Sequence, residues 1–594
     1  MKGFFNRLLR IDLTYGRFHE QVLTDEDLLR TLGGKGLASH ILLSENPSGV
    51  DPLCPENILI FALGPVSGTS VWGECRYGVF TKSPHTGFYT ESYAGGKTPD
   101  FMVRTGYDAF VFQGAAKSPL WIEISDNAVV FHTAEDLWGL DTYATEERVK
   151  EWIKMNHSAI RGCGVICIGP AGENRVSCAV IENDKWRSAG RTGVGAVMGA
   201  KKVKAVAFYG SQKKTVADPT GLKSYNKAFF TEWSGSPTAL AYRSSGTPMM
   251  VDIVNKARAF PTRYWSKGVS DNRLKINRDA LHDRMDVKPS ACRKCFMACG
   301  RMATVKGGRH KGLKIEGPEF ETIGSFGGLC EIDDITEIAY LNDLCDRLGL
   351  DTMSAGNLAA LTIEASRLGK IDYAIDYGKS EQVADLLVKM AYRRGIGNVL
   401  AGGIRHAAAQ WGLEEQAVHV KGLEPAAFDP RVLKGMALAY GTSPRGACHL
   451  RATFYKPELS GMVDPEMIDG KAEIFVEWED RLVIFDTLIL CRFYRDFYQW
   501  DPLRELIALT TGLDMDKRRQ RQLAADILKG VRRFNIREGL TVADDMLPRR
   551  FYEQTLPESG ALVTYQDYEK MLNEYYQVRG WDESGRPIAP HHRE

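Results

Sequence analysis

The chain has 594 residues, of which 44% are hydrophobic and 25% charged, and its formal net charge is +1. That is the composition of an ordinary soluble globular protein; it points away from nucleic acid as a partner, and the length predicts two or three domains because single hydrophobic cores stop growing well below it. From Met1 to Arg7 charge returns before any apolar stretch of signal-peptide length, and no run reaches the roughly 18 apolar residues of a membrane span, so a cytoplasmic protein with no membrane span is expected.

Leu9, Ile11 and Leu13 alternate with polar residues before a turn at Tyr15 and Gly16, and Trp121, Ile122 and Ile124 lead through Asp126 and Asn127 into Val129, Val130 and Phe131. This alternation predicts strands, mostly paired as hairpins, over the first 210 residues. The run Ile58 to Leu63, closed by Gly64 and Pro65, predicts a strand buried on both faces. After the polar stretch Ser211 to Pro219 the period becomes helical, as at Val383, Leu386, Leu387, Met390 and Ala391, with Gly395 placed to stop that helix. The expected fold class is α+β: a β-rich amino-terminal domain over 1–210, a mainly α-helical domain over 211–420 and a second over 421–594. The basic stretch Lys517 to Arg521 reads as a solvated helix face. Gly193, Gly195 and Gly199 lack the strand-helix-strand context and the later acidic residue that a dinucleotide loop needs.

Twelve cysteines are too few for a disulfide scaffold in a chain this long, and a cluster of them in a reducing compartment reads as metal binding. Cys292, Cys295 and Cys299 form Cys-x2-Cys-x3-Cys after Lys288 and Pro289, a spacing that wraps three thiolates around one corner of a cubane cluster. A 4Fe-4S cluster needs a fourth thiolate from elsewhere. Zinc is the weaker reading, because no second Cys-x2-Cys knuckle follows. Cys330 and Cys345 are the nearest candidates, but Cys345 falls on an amphipathic helix and reads as a small packed hydrophobe, as do Cys54, Cys75, Cys163, Cys167 and Cys178 in strand-like surroundings.

Several further stretches stand in a telling order: Arg76 to Phe88, Ile168 to Asn174, Ala189 to Lys201, the three cysteines, Glu316 to Glu321, Asp346 to Asp351, Arg445 to His449, and Asp486 to Cys491. Over essentially the whole length these resemble the landmarks of the aldehyde ferredoxin oxidoreductase family, the tungstopterin enzymes of anaerobes. The resemblance implies a bis-pterin tungsten or molybdenum cofactor at the interface of the domains, one 4Fe-4S cluster, and Mg2+ bridging the pterin phosphates. It assigns the cluster to Cys292, Cys295, Cys299 and Cys491. The cofactor contacts it implies are Arg76, Tyr93, Gly95, Ala189, Arg191, Asp346, Leu350, Asp351, Cys448, Arg451, Asp486 and Leu490. Buried carboxylates such as Asp346 and Asp486 suit the amide and amine edges of a pterin, and Gly349 allows close backbone approach.

Of catalytic residues the resemblance implies Glu321 as a base, provided that burial raises its pKa, and His449 as a donor to the carbonyl oxygen of an aldehyde. A ferredoxin or small iron-sulfur subunit is the expected electron partner, and an oligomer is expected. The sequence departs from the family at three positions. Tyr93 replaces an asparagine whose backbone helps hold Mg2+, Ile489 stands where the second pterin motif has glycine, and Tyr340 occupies the position of a glutamate that binds an iron between subunits, so no such iron is expected. The competing readings are a ring-reducing aryl-coenzyme A reductase subunit of the same family and a non-catalytic iron-sulfur or zinc assembly subunit.

Overall fold

The computed structural model describes residues 1–588. Its amino-terminal part is built from two six-stranded sheets packed face to face. The first has strands β1 (Arg7–Asp12), β2 (Arg17–Val22), β3 (Leu59–Ala62), β4 (Tyr77–Lys82), β5 (Tyr89–Ala94) and β6 (Ala109–Gln113), in the order β2-β1-β6-β3-β4-β5. The second has β7 (Leu120–Ile124), β8 (Val129–Thr133), β9 (Gly164–Cys167), β10 (Ile181–Asn183), β11 (Arg187–Ala189) and β12 (Val203–Phe208), in the order β11-β10-β9-β12-β7-β8. Alternation along each strand divides the side chains between two cores. Leu9, Phe61, Val79 and Phe110 of the first sheet meet Ile122, Ile166, Ile181 and Val206 of the second, whereas Leu8, Ile60, Phe80 and Val111 point the other way, onto Leu37, Ile41 and Phe534. The strand expected to be buried on both faces is β3, and all four of its residues are buried.

Hairpins join β1 to β2, β4 to β5, β7 to β8 and β10 to β11. Hairpins alone do not make the sheets, because β1 pairs with β6 and β7 with β12 in parallel. Parallel partners need long crossovers, so these pairings leave no local turn signal in the sequence.

The remainder is mainly helical around one large core, with a three-stranded sheet of β13 (Met285–Ser290), β14 (Gly300–Val305) and β15 (Lys314–Glu316) beside it. The helix expected near Val383 runs over Ser380–Ala391. It stops before Gly395: Arg393 turns the chain at φ +52°, and Gly395 instead precedes the next helix, Ile396–Leu400. Lys517 to Arg521 open helix Lys517–Arg537, where Lys517 pairs with Glu477 at 2.6 Å and Arg521 with Asp480 at 3.1 Å. Among the described residues no helix is long and apolar enough to cross a membrane.

Two predicted cofactor segments begin at helix ends of one kind. Helix Ile335–Leu348 ends at Gly349 with φ 76° and ψ 45°, and helix Lys471–Leu488 ends at Ile489 with φ 59° and ψ 41°. The two therefore turn in the same left-handed manner, one with glycine and one with a β-branched residue that pays a steric cost for it.

Candidate active site

After the first of these turns, the segment Asp346–Asp351 lies along residues 178–180. The Val180 N–H donates to the Gly349 carbonyl at 3.0 Å, and that of Asp351 to the Cys178 carbonyl at 3.1 Å. A Cβ on Gly349 would sit 2.9 Å from the Gly169 nitrogen, so the close approach needs glycine. Leu350 is buried, and Asp351 caps helix Thr352–Arg367 through the Ser354 N–H at 2.9 Å. Asp346 accepts from the Asn342 amide at 2.7 Å, and burial followed by repulsion from Asp343 pushes its carboxyl well up. Both carboxylate oxygens of Glu182 and Oδ1 of Asp343 are buried without a partner, and burial, then Asp346, raises Glu182 strongly. Glu182 is thus left without a donor among the described residues, and Asp343 is met only at its other oxygen, by Arg347 at 2.8 Å. Arg191 closes the same region, 3.4 Å from Asp351, and donates to the carbonyls of Ala447 at 3.0 Å and Glu424 at 2.6 Å. Ala189, at the end of β11, is fully buried.

The second turn has the same build. Cys491 donates its N–H to the Gly73 carbonyl at 3.0 Å, and Leu490 is buried beside it. Asp486 lies 2.7 Å from Arg451 and 2.5 Å from Arg492; Arg451 reaches Glu91 at 2.9 Å, and Glu91 holds Lys35 at 2.8 Å and the Tyr93 hydroxyl at 2.8 Å. Burial pushes Glu91 up, but Arg451 and Lys35 outweigh it and keep it ionised. The Nε atoms of Arg445, Arg451 and Arg492 are buried and unpartnered. Burial also opposes ionisation of Cys448, yet Arg445, Arg451 and Arg191 bring its thiol down to about 6, and Arg445 donates to Cys448 Sγ at 3.0 Å.

The four predicted cluster cysteines converge between these regions. The Gly96 N–H donates to Cys292 Sγ at 3.2 Å, the Tyr494 hydroxyl donates to Cys295 Sγ at 3.5 Å, and Arg76 reaches Cys491 Sγ at 3.8 Å while donating to the Tyr93 carbonyl at 2.9 Å. A Cβ on Gly95 would stand 2.9 Å from Cys292 Sγ. Burial raises Cys295 to about 11, with Cys491 and Cys292 adding to it, and raises Cys299 strongly, with Glu319, Cys295 and Cys491 adding. Cys292 and Cys491 thus lie within electrostatic reach of Cys295, and Cys491 and Cys295 within that of Cys299, while among the described residues no three of them are grouped closely enough for one metal ion.

One cavity joins the cysteines to the two predicted catalytic residues: Cys299, Cys491, Gly95 and Arg76 line it together with Glu321, His449, Phe428, Tyr455 and Arg495. Glu321 sits where a short helix, Phe320–Thr322, continues as one π-helical stretch, Ile323–Leu329, against which helix Thr352–Arg367 packs closely because its Gly356 leaves room for Ser325. Burial raises the Glu321 carboxyl to about 7, although it accepts from the Ala427 N–H at 2.9 Å. His449 Nε2 faces it at 3.4 Å. Burial and then Arg191, Arg445 and Arg451 hold the imidazole neutral, and its Nδ1 is buried without a partner.

The family profile "Aldehyde ferredoxin oxidoreductase, N-terminal domain" matches residues 8–210, and "Aldehyde ferredoxin oxidoreductase, domains 2 & 3" matches residues 224–594. The chain belongs to the aldehyde ferredoxin oxidoreductase family. Its relatives in that family include the tungsten-containing aldehyde ferredoxin oxidoreductase of Thermococcus kodakarensis, 35% identical over 99% of this chain and 98% of that one, and that of Pyrococcus furiosus, 34% identical over the same shares. The Pyrococcus furiosus protein named aliphatic sulfonate oxidoreductase, WOR-like subunit, is 27% identical over 99% of this chain and 96% of its own. Among solved structures, the active-site complex of benzoyl coenzyme A reductase with 1,5-dienoyl-CoA shares the fold, with a TM-score of 0.83 at 24% identity over 99% of this chain and 96% of that one.

Of the residues that the resemblance to this oxidoreductase family singled out, Asp346, Leu350, Asp351, Asp486 and Leu490 lie in the two turn segments, Arg76, Tyr93, Gly95, Glu321 and His449 line the cavity, and Ala189, Arg191, Cys448 and Arg451 stand outside its lining. Sequence reasoning missed Lys35, Glu91, Glu182, Asp343, Glu424, Arg445, Arg492 and Arg495, all of them buried. Glu182 carried only a weak signal, an acid at the end of the apolar run Ala179 to Ile181 and before the polar Asn183 to Lys185. Glu424 carried none. Burial opposes its ionisation, yet His85 at 3.2 Å, Arg191 and Ser354 lower it to about 2.

Proposed function

We propose that this chain is the catalytic subunit of a tungsten- or molybdenum-pterin oxidoreductase that oxidises aldehydes to carboxylic acids and passes electrons through one 4Fe-4S cluster to a ferredoxin-like partner. The observation that carries the reading is the Glu321–His449 pair, held at 3.4 Å in the cavity that also contains Cys299 and Cys491.

The residues present suit the cofactor. On this reading Asp346, Leu350, Asp351, Ala189 and Arg191 hold one pterin, and Asp486, Leu490, Arg451 and Cys448 hold the other. The unpartnered acceptors of Glu182 and Asp343 and the unpartnered donors of Arg451 and Arg492 are the groups that pterin edges and phosphates would satisfy. Mg2+ would be held near Tyr93, Gly95 and Ala189, and Cys292, Cys295, Cys299 and Cys491 would hold the cluster. Arg76 would lie between cluster and pterin. When bound, the metal with its dithiolenes supplies the two-electron oxidation.

The chain's own part is to orient the aldehyde and manage its protons. His449, neutral with its one N–H on Nδ1, donates from there to the carbonyl oxygen as charge develops, and its Nε2 accepts from Glu321 once that carboxyl has taken a proton. Glu321, basic because burial raises its pKa, removes the proton from water or from the substrate carbon. The division at 1–210, 211–420 and 421–594 belongs to the same reading, with the site between the three parts. Anaerobic purification with metal and pterin analysis, followed by an aldehyde panel with a viologen dye as acceptor, tests it. Tungsten or molybdenum near one atom per chain together with dye reduction is expected; iron or zinc alone, without activity, would leave an assembly subunit instead.

A further inference from the structure

Four arginines line the cavity, and three of them are engaged. Arg187 pairs with Glu316, Arg492 with Asp486, and Arg76 with the Cys491 sulfur and the Tyr93 carbonyl. Arg495 is different. It is 2% exposed, its Nη1 donates to the Arg492 carbonyl at 3.0 Å, Tyr242 is its other hydrogen-bond partner, its Nε has none, and among the described residues it forms no ion pair with a carboxylate. Of the cations beside it, Arg481 donates to the Arg495 carbonyl, and Lys456 is already paired with Asp496. A buried cation with no carboxylate partner is costly, so beside the sulfur of Cys491 it has room for negative charge on something that enters the cavity.

The walls describe the rest of that molecule. Phe428 and Tyr455 stack with ring centroids 4.1 Å apart and an interplanar angle of 9°. The Tyr455 centroid lies 6.2 Å from that of His449 and 5.9 Å from the Arg495 guanidinium carbon, so one aromatic ring bridges the reacting end and the cationic end. Tyr242 and Phe493, with centroids 4.7 Å apart, complete the apolar lining. A lone planar guanidinium fork matches a carboxylate better than a phosphate, which calls for more donors.

We propose that the site selects planar aldehydes carrying a carboxylate, and that Arg495 binds that carboxylate while the formyl group lies at Glu321 and His449. This names the substrate class of the function proposed above and rests on it. The holoenzyme is assayed with 4-formylbenzoate and with 4-methylbenzaldehyde, which matches it in shape without the charge, and binding of terephthalate is measured by calorimetry. A preference in kcat/KM for the acid on the order of 10²-fold is expected, carried by KM, together with terephthalate binding. Arg495→Gln collapses that ratio, and Arg495→Lys restores part of it.

If 4-methylbenzaldehyde is oxidised as well as the acid, and Arg495→Gln slows both alike while shifting the cluster's reduction potential, Arg495 balances cluster charge. In that case the proposal falls and aldehyde oxidation stands. If neither aldehyde is oxidised but terephthalate binds in an Arg495-dependent way, the anion site stands and the aldehyde reading falls. Neither turnover nor binding overturns both.

Discussion

Replacing Glu321 with Gln keeps the size of the side chain and removes its charge, so it separates what the carboxylate does from what it fills. Burial moves this carboxyl from the usual 4.5 to about 7, which corresponds to about 3 kcal/mol of preference for the protonated form. The folded state therefore holds this proton more tightly than the unfolded chain between pH 4.5 and about 7. The linked stability is fully present below 4.5 and is lost as pH rises through 7. At pH 8 wild-type Glu321 thus destabilises the fold by up to about 3 kcal/mol. The Gln variant escapes that cost, and it unfolds at higher temperature than wild type at pH 8, with the gap closing toward pH 4.5. Turnover moves the opposite way. Wild-type kcat/KM rises about tenfold per pH unit below 7 and levels off above it, whereas the variant loses about 10²- to 10⁴-fold and the acid limb with it. Rates against pH, paired with thermal unfolding and metal analysis, give both readouts on one preparation. A Gln variant with full metal content that keeps the wild-type rate, or the same acid limb, would refute the reasoning.

Cys491→Ser removes the proposed fourth cluster ligand, and iron should fall below four atoms per chain with loss of the cubane signal on reduction; an intact, active four-iron enzyme would exclude Cys491. Ile489→Gly relieves about 1–2 kcal/mol of left-handed backbone strain but empties a site only 1% exposed, at about 2–5 kcal/mol, so a lower Tm is expected. A raised Tm would show that strain dominates there.

The order of the motifs from Arg76 to Cys491 was legible in the chain, as were the helix at Val383 to Ala391 and the buried strand at Ile58 to Leu63. Each of these is written in local residue types at a fixed spacing. The parallel pairs β1–β6 and β7–β12 were not legible, because their partners are chosen by packing between the sheets and not by a turn. The stop at Arg393 was missed because glycine is only the usual residue for a left-handed turn, not an obligatory one. The site's charges divide in the same way. Asp486 lies in a motif and Arg451 just after one, but Glu91 and Lys35, which complete their network, stand in strand β5 and in the helix beginning at Gly34, and only the folded chain shows that they meet.

The network of Lys35, Glu91, Arg451, Asp486 and Arg492 also bears on how the enzyme is assembled. Its members come from both ends of the chain, so the first sheet can form during synthesis while this half of the site cannot. Loop closure over more than 400 residues, from Lys35 to Arg451, has to precede this network, and on the function proposed above it precedes any hold on the second pterin. A ribosome-bound chain halted before Arg451 would therefore carry the Asp346–Asp351 half of the proposed site, and Lys35 paired with Glu91, but not the arginines that complete the other half.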